Sequence, residues 1–255
     1  MKRAFLLAAA GALLAAGPAS AKVRVFGPGG PAPAMREAAQ RFEERSGIDV
    51  EVVSGPTSQW IERARIESDL IYSGSDTMMT DFVRAMPDAL SQSDVAPLYD
   101  RPAAILVRKG NPLRIRGFRD LVRGDVDVMV VEGAGQNGLW EDLASRAGGI
   151  GFLQKLRPRI KHYAANSAAA REAWTTQPGI DAWIIWNIWQ VANPAIADQV
   201  PIERDIALYR SMAIAPTRTT RSPADTRAFA TFLRGAEAAR IFRRHGWRAP
   251  ATARK

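Results

Sequence analysis

The sequence contains 255 residues with a formal net charge of +9, and hydrophobic residues make up 47% of it, which excludes general disorder and allows a sizeable core. It contains no cysteine, which excludes disulfides, thiolate nucleophiles and cysteine-based metal sites, and only two histidines, which argues against a histidine-dependent triad. The basic residues are scattered along the chain, so the charge favours an anionic solute or surface and does not predict nucleic-acid binding.

Residues 1–21 have the pattern of a cleavable secretory signal peptide. Lys2 and Arg3 precede an apolar run over 4–16, and the small residues at 19–21 predict cleavage before Lys22. The apolar run is too short to span a bilayer, and the chain lacks the cysteine that would accept a lipid anchor. We therefore predict a soluble periplasmic protein that is not anchored to the membrane.

Three predicted strands near the start each end in a small, polar or glycine-rich turn that leads into a helix. The strands lie over 23–26, 48–53 and 69–72, and helices begin soon after each of them. Ligands bind at the carboxyl ends of strands in open α/β sheets, and unpaired N–H groups at helix starts attract anions. The candidate ligand-binding residues here are Gly27, Gly29, Gly30, Ser54, Thr57, Ser58, Gln59, Trp60, Ser73 and Ser75.

Each of these residues also has a purely structural interpretation. The glycines fit a tight turn that requires a positive φ, the hydroxyl groups fit helix caps or local backbone partners, and Trp60 fits the core.

The rest of the chain continues the alternation of strands and helices. A continuous apolar strand is predicted over 103–107, further strands lie near 126–131, 160–163, 180–185 and 206–215, and a helix follows Ser222 and Pro223. We predict an α/β protein with two lobes, each a mainly parallel sheet flanked by helices. Residues 22–104 and 209–255 form the first lobe, 105–208 form the second, and strands at 103–107 and 208–215 cross between them.

Several short motifs in a fixed order resemble a known family. They are FGPGGP (26–31), FEERSGIDVEV (42–52), SQW (58–60), RPAAILVRKGNPLRIRG (101–117), EGAG (132–135), WED (140–142), NSAAAR (166–171), DAWIIW (181–186), ANP (192–194), LYR (208–210) and IFRRHGW (241–247). In this order they are similar to periplasmic solute-binding proteins of the accessory colonisation factor C type, relatives of the molybdate and sulfate binders. The resemblance implies a type II, two-lobed "flytrap" that holds a small oxyanion, carboxylate or phosphorylated acid between its lobes.

The chain from Arg101 onward supplies a further set of candidate ligand contacts. They are Arg101, Gly135, Gln136, Asn137, Asn166, Ser167, Asp181 and Trp183. Arg101 offers a planar fork for a carboxylate or phosphate, with an interlobe salt bridge as the alternative. Asn166 and Ser167 fit a helix cap, Asp181 fits an orienting acceptor, and the tryptophans fit the core. Relatives carry a longer serine- and threonine-rich loop where this chain has only Gln136-Asn137-Gly138, which leaves the ligand open.

The sequence therefore predicts a solute-binding protein that captures a small anion for an ABC-type importer. The partners would be an inner-membrane permease and ATPase, and a homodimer is possible. An adhesin or a chemoreceptor partner with the same fold is the alternative. We predict no enzyme, cofactor or metal site, because no nucleophile–base pair or paired metal-ligand spacing is present.

Overall fold

The computed structural model describes residues 22–133 and 135–250, so the predicted signal peptide lies outside the described residues. The strands are β1 Val23–Gly27, β2 Val50–Ser54, β3 Leu70–Tyr72, β4 Ala96–Val107, β5 Val128–Val131, β6 Ile160–Ala164, β7 Ala182–Trp186, β8 Asp198–Pro201 and β9 Tyr209–Pro216. The α-helices are α1 Ala32–Ser46, α2 Ile61–Glu67, α3 Asp76–Ala85, α4 Leu139–Leu156, α5 Ser167–Thr176, α6 Ile188–Ala192, α7 Pro223–Leu233 and α8 Ala236–Arg244. The predicted α/β class is confirmed.

The strands form one curled, mixed sheet. Its order is β2-β1-β3-β9-β4-β7-β5-β6, and β8 pairs with β4 away from this path. The parallel pairs are β1 with β2 and β3, and β5 with β6 and β7. The pairs made by β4 and β9 are antiparallel, so the prediction of mainly parallel sheets holds for the outer strands and not for the centre. The short strand β8 was not predicted.

Strand β4 belongs to both halves of the sheet. Its first part pairs with β9 from Ala96 to Pro102, and its second part pairs with β7 and β8 from Ala103 to Val107. The backbone N–H of Ala103 donates to the carbonyl of Leu208, just before β9. The pairing thus changes near the two places where the sequence predicted crossing strands; the division into two lobes stays a prediction.

Helix α1 shows how the local sequence determines these elements. Pro31 precedes the helix, where its missing N–H costs nothing, and Gly47 ends it in the left-handed region with φ 69°. Met35, Ala38 and Phe42 lie on one face of the helix and are buried, as the apolar spacing predicted. Helix α7 packs beside it, with the ring of Phe229 5.1 Å from that of Phe42.

Residues 22–133 and 135–250 contain neither a candidate membrane span nor a candidate metal-binding cluster. None of the helices within these ranges combines the length and the apolar character needed to cross a membrane. Within the same ranges, no group of histidine and acidic side chains is arranged to hold a metal ion.

Candidate functional site

The turns that follow five strands meet around one cavity of about 490 Å³. The turns after β1, β2 and β3 form one side of it, and the turns after β5 and β6, together with α6, form the other. The lining residues are Pro28, Gly29, Gly30, Pro31, Gly55, Pro56, Thr57, Ser58, Gly74, Met78, Arg101, Gly133, Gly135, Gln136, Ala165, Asn166, Ser167, Ala168 and Trp189. The cavity therefore lies between the turns after β1, β2 and β3 and the turns after β5 and β6.

Arg101, on the central strand β4, is the charged residue of this lining. Its side chain is only 2% exposed, and its Nη2 donates to the carbonyl oxygen of Gly135 at 3.4 Å. Its Nε has no hydrogen-bond partner among the described residues. Within the described chain no carboxylate forms a salt bridge with this guanidinium, and the carboxylate of the adjacent Asp100 pairs with Arg248. The structure does not show the interlobe salt bridge that was the alternative interpretation of Arg101.

Aromatic rings hold the guanidinium in place. Its Cζ lies 4.6 Å from the ring centroid of Trp186 and 5.7 Å from that of Trp247. Burial, and secondarily the positive charge of Arg210, lower the pKa of Arg101 to about 9. The side chain is therefore still a cation at neutral pH, and an anion placed in the cavity would relieve the cost of burying it.

Three glycines from different turns surround the guanidinium. A Cβ built on Gly135 would lie 3.3 Å from Nη2, one on Gly74 would lie 3.4 Å from Nη2, and one on Gly30 would lie 3.5 Å from Nη1. A Cβ on Gly135 would be closer than an ordinary contact, whereas one on Gly74 or Gly30 would be in ordinary van der Waals contact, so the turns after β1, β3 and β5 all lie close to Arg101.

Gly27 serves the fold differently from the way the sequence suggested. It does not have the positive φ expected of a tight turn, and Gly29 and Gly30 do not have it either. A Cβ on Gly27 would lie 2.5 Å from the carbonyl oxygen of Tyr72, so glycine is needed there for the close approach of β1 to β3. Gly27 does not line the cavity.

The turns on the other side of the cavity are tied together by hydrogen bonds. The Nε2 of Gln136 donates to the Oγ of Ser167 at 3.2 Å. The Oδ1 of Asn166 accepts from the backbone N–H groups of Ala168 and Ala169 and so caps α5, as its structural interpretation required. Asn166 and Ser167 nevertheless line the cavity, at the N-terminus of a ten-residue helix.

Some predicted contacts from the first half of the chain are used within the fold instead. The Oγ of Ser54 accepts from Arg36, that of Ser73 accepts from the backbone of Ala213, and that of Ser75 caps α3. These hydroxyl groups satisfy local donors, and the three residues do not line the cavity.

Trp60 and Gln59 also lie outside the lining. The Trp60 ring is buried 5.2 Å from that of Phe82, and its Nε1 donates to the carbonyl of Gly55, which makes it a core residue. Gln59 is exposed at the end of the short helical turn Thr57–Gln59.

Three predicted site residues from the second half of the chain also lie outside the lining of the cavity. Asp181 lies before β7, at the end opposite Trp186, and accepts from the backbone N–H of Asp127 at 2.8 Å. Trp183 is buried with its ring 6.1 Å from that of Trp174. Asn137 is exposed and lines a different depression, beside Trp140. These residues are therefore excluded from the site proposed below.

Sequence reasoning missed part of the lining. The missed residues are Pro28, Pro31, Gly55, Pro56, Gly74, Met78, Gly133, Ala165, Ala168 and Trp189. Most of them lie in the turns already singled out, so membership of those turns was an available signal. Met78 and Trp189 gave none, because apolar side chains at helical spacing are more often part of a core.

A turn near the C-terminus connects α6, on one side of the cavity, with the central strand β4. The carbonyl of Gly246 accepts from the Nδ2 of Asn187, at the start of α6, at 2.7 Å. The backbones of Arg248 and Asp100 exchange two hydrogen bonds of 2.9 Å, directly beside Arg101. The ring of Trp247 between them contacts Arg101, so this turn helps to position the guanidinium.

Comparisons with known proteins agree with this architecture. The model of a family described as bacterial extracellular solute-binding protein matches residues 23–248. The crystal structure of Peb3 from Campylobacter jejuni is 35% identical and aligns with a TM-score of 0.81 over 89% of this chain and 99% of that chain. A structure of L-phospholactate-bound PEB3 aligns with a TM-score of 0.83 at the same identity and coverage.

More distant structures share the fold alone. The sulfate-binding protein SubI from Mycobacterium tuberculosis is 17% identical, with a TM-score of 0.73 over 91% of this chain and 88% of that chain. The periplasmic molybdate-binding protein of Azotobacter vinelandii is 14% identical, with a TM-score of 0.69 over 90% of this chain and 100% of that chain. A comparison with curated proteins found no match.

Proposed function

The chain belongs to the bacterial extracellular solute-binding protein family, and from this premise we propose that it captures a small anion in the cavity beside Arg101. The observation that carries the proposal is a buried guanidinium that lines a cavity and has no carboxylate partner among the described residues. A buried charge without a counterion is costly, and its retention at the meeting point of five turns supports a bound anion as its partner.

The other donors of the site are neutral. Thr57 and Ser58 supply hydroxyl groups on one side of the cavity. Ser167 supplies a hydroxyl group and Gln136 an amide on the other side. Helix α5 adds the positive end of its dipole. An anion that contacts both sides would favour their approach about β4 and β9, because a ligand shifts a conformational equilibrium only through contacts that differ between the states.

The same residues support binding and not catalysis. The described lining of the cavity contains no carboxylate and no histidine that could serve as a general base for its hydroxyl groups. The chemistry this arrangement offers is replacement of the hydration shell of an anion by fixed donors.

Names of similar proteins fit an anionic ligand. Peb3 was crystallised with L-phospholactate, and two proteins of the same fold are named for sulfate and molybdate. We propose that the protein works in the periplasm after removal of residues 1–21 and delivers its ligand to a permease and ATPase in the inner membrane.

A thermal-shift panel on the chain that begins at Lys22 tests this function. The panel contains sulfate, thiosulfate, molybdate, phosphate, citrate, 3-phosphoglycerate and amino acids. An anion at one hundred times its dissociation constant should stabilise the protein by about 2.7 kcal/mol. Arg101→Ala should abolish the shift. If no anion raises the melting temperature, or if the R101A protein shows the same shift, the proposal is wrong.

A further inference from the structure

The composition of the cavity wall carries information about the ligand beyond its charge. The wall contains several apolar side chains, including those of Met78, Trp189 and three prolines, Pro28, Pro31 and Pro56. Arg101 is the charged side chain among the described lining residues, and it approaches the cavity among the glycines of three turns. The cavity therefore combines one cationic group with a largely apolar wall. Met78 lies close to the guanidinium, because a Cβ built on Gly135 would be 3.3 Å from the Nη2 of Arg101 and 3.5 Å from the Cε of Met78.

The volume of the cavity also favours a ligand that is larger than a bare oxyanion. A water molecule takes up roughly 30 Å³ of liquid, so in the conformation described, before any approach of the two sides, a tetrahedral oxyanion of five heavy atoms would leave most of the cavity of about 490 Å³ to solvent. Binding sites in proteins normally bury most of the surface of their ligand. A ligand that fills this cavity needs a body in addition to its anionic group.

The polar side chains of the wall are already partly engaged. Asn166 caps α5 through its Oδ1, and Gln136 donates to Ser167. A second anionic group on the ligand would find no second cation in the described lining, so only neutral donors would be left to replace its hydration. A single negative charge matches the single guanidinium.

We infer that the ligand is an organic monoanion, a carboxylate or sulfonate with an apolar aliphatic or aromatic body, whose head group binds Arg101 and whose body lies against Met78 and Trp189. This inference rests on the proposed function, because it assigns the ligand class of the same cavity. It differs from a bare oxyanion, a dicarboxylate and a phosphorylated hydroxy acid in the apolar contact that it requires.

A homologous series of carboxylates tests the apolar contact. Titration calorimetry of the chain from Lys22 with acetate, butyrate and hexanoate should show affinity that rises by up to about fourfold for each added methylene group until the cavity is full. Benzoate should bind more tightly than acetate, and sulfate, phosphate, succinate and 3-phosphoglycerate should bind more weakly than hexanoate.

Variants separate the head-group contact from the body contact. Arg101→Met should abolish binding of the whole series. Met78→Gln keeps the length of the side chain and replaces its apolar end, so it should reduce the gain in affinity per methylene group. Ile150→Gln, a change of the same chemical kind at a residue that is 75% exposed and outside the cavity, should leave the series unchanged.

The outcomes distinguish this inference from the proposed function. Affinity that is independent of chain length, or tighter Arg101-dependent binding of sulfate, phosphate, succinate or 3-phosphoglycerate, overturns the inference and leaves anion capture standing. If none of these anions binds in a manner that depends on Arg101, both the inference and the proposed function are wrong.

Discussion

The indole of Trp186 and the guanidinium of Arg101 converge on one acceptor, the carbonyl oxygen of Gly135. The Nε1 of Trp186 donates to it at 2.9 Å, the Nη2 of Arg101 donates at 3.4 Å, and the Arg101 Cζ lies 4.6 Å from the Trp186 ring centroid. The Arg101 side chain is therefore positioned by a neutral carbonyl and an aromatic ring. Neither contact neutralises its positive charge, which is available to an anion in the cavity.

Replacement of Arg101 by methionine should not destabilise the unliganded protein appreciably. The substitution removes a buried charge and retains much of the apolar volume, and such exchanges are often neutral or stabilising. We expect a change in the free energy of unfolding within about 1 kcal/mol of zero by urea denaturation. Arg84→Met, at an exposed position on α3, is the matched control. A loss well above that range would indicate that Arg101 is chiefly a structural residue.

Anion affinity should fall at high pH. The pKa of Arg101 is lowered to about 9 by burial, so the unliganded side chain loses its proton above that pH, whereas an anion binds the protonated form. Proton uptake on binding then weakens affinity by about tenfold for each pH unit above 9. Titration calorimetry between pH 7 and 10.5 measures this dependence, and a constant affinity over that range would contradict it.

Gly27, the last residue of β1, and Gly29, in the turn that follows it, form a matched pair. A Cβ on Gly27 would meet backbone and ring atoms of Tyr72 at 2.5–2.6 Å, whereas one on Gly29 would meet no atom within 4 Å. Gly27→Ala should therefore destabilise the protein by about 1–3 kcal/mol, and Gly29→Ala should have little effect or stabilise it slightly. Chemical denaturation of both variants compares them, and equal stability would show that β1 and β3 can separate at little cost.

Gly246 tests the role of the C-terminal turn. Its φ is +85°, and a Cβ there would lie 2.9 Å from the Nδ2 of Asn187 and 3.0 Å from a methyl group of Val191. Gly246→Ala should lower both stability, by about 1–3 kcal/mol, and anion affinity, because Trp247 next to it contacts Arg101.

Gly110 provides the control for that experiment, because its φ is +79° and a Cβ there would meet nothing within 4 Å. Gly110→Ala has the backbone cost without the crowding, so it should destabilise the protein less and leave anion affinity unchanged. Equal effects of the two variants on affinity would show that the C-terminal turn does not position Arg101.

Acid should weaken the contact between α1 and α8. Arg244, together with His245, lowers the pKa of Glu37 below its usual value, so this carboxylate stabilises the folded state above its unfolded pKa of 4.5. Its contribution is lost as the pH falls through the lowered, folded-state pKa. The Glu37→Gln variant should therefore differ from the wild-type protein in thermal melting at pH 7 and resemble it at the acid end, whereas a difference that does not change with pH would contradict this role.

The sequence was sufficient for the features that depend on local pattern. The strand–turn–helix succession, the burial of Met35 and Phe42 on α1 and the position of Arg101 before the apolar part of β4 all follow from spacing and residue type. The strand pairing of the centre was not accessible in this way, because antiparallel β4 and β9 meet across more than one hundred residues of sequence.

Several predicted site residues lie outside the cavity lining, for specific physical reasons. Serine and threonine have the same signature in a helix cap and in a ligand site, and in Ser54, Ser73 and Ser75 the local partners prevail. Asp181 stands at the amino end of its strand, where the rule that ligands bind at carboxyl ends would already have excluded it. Trp189 was not distinguishable from the core tryptophans by composition alone.

A crystal structure of the chain from Lys22 with the anion that gives the largest thermal shift tests the central claim most directly. The account predicts that an oxygen of the anion lies within about 3.2 Å of an Arg101 nitrogen, in contact with turns from both sides of the cavity. An anion bound instead on the surface, for example between α1 and α8 beside Arg41 and Arg240, with the cavity filled only by water, would contradict it.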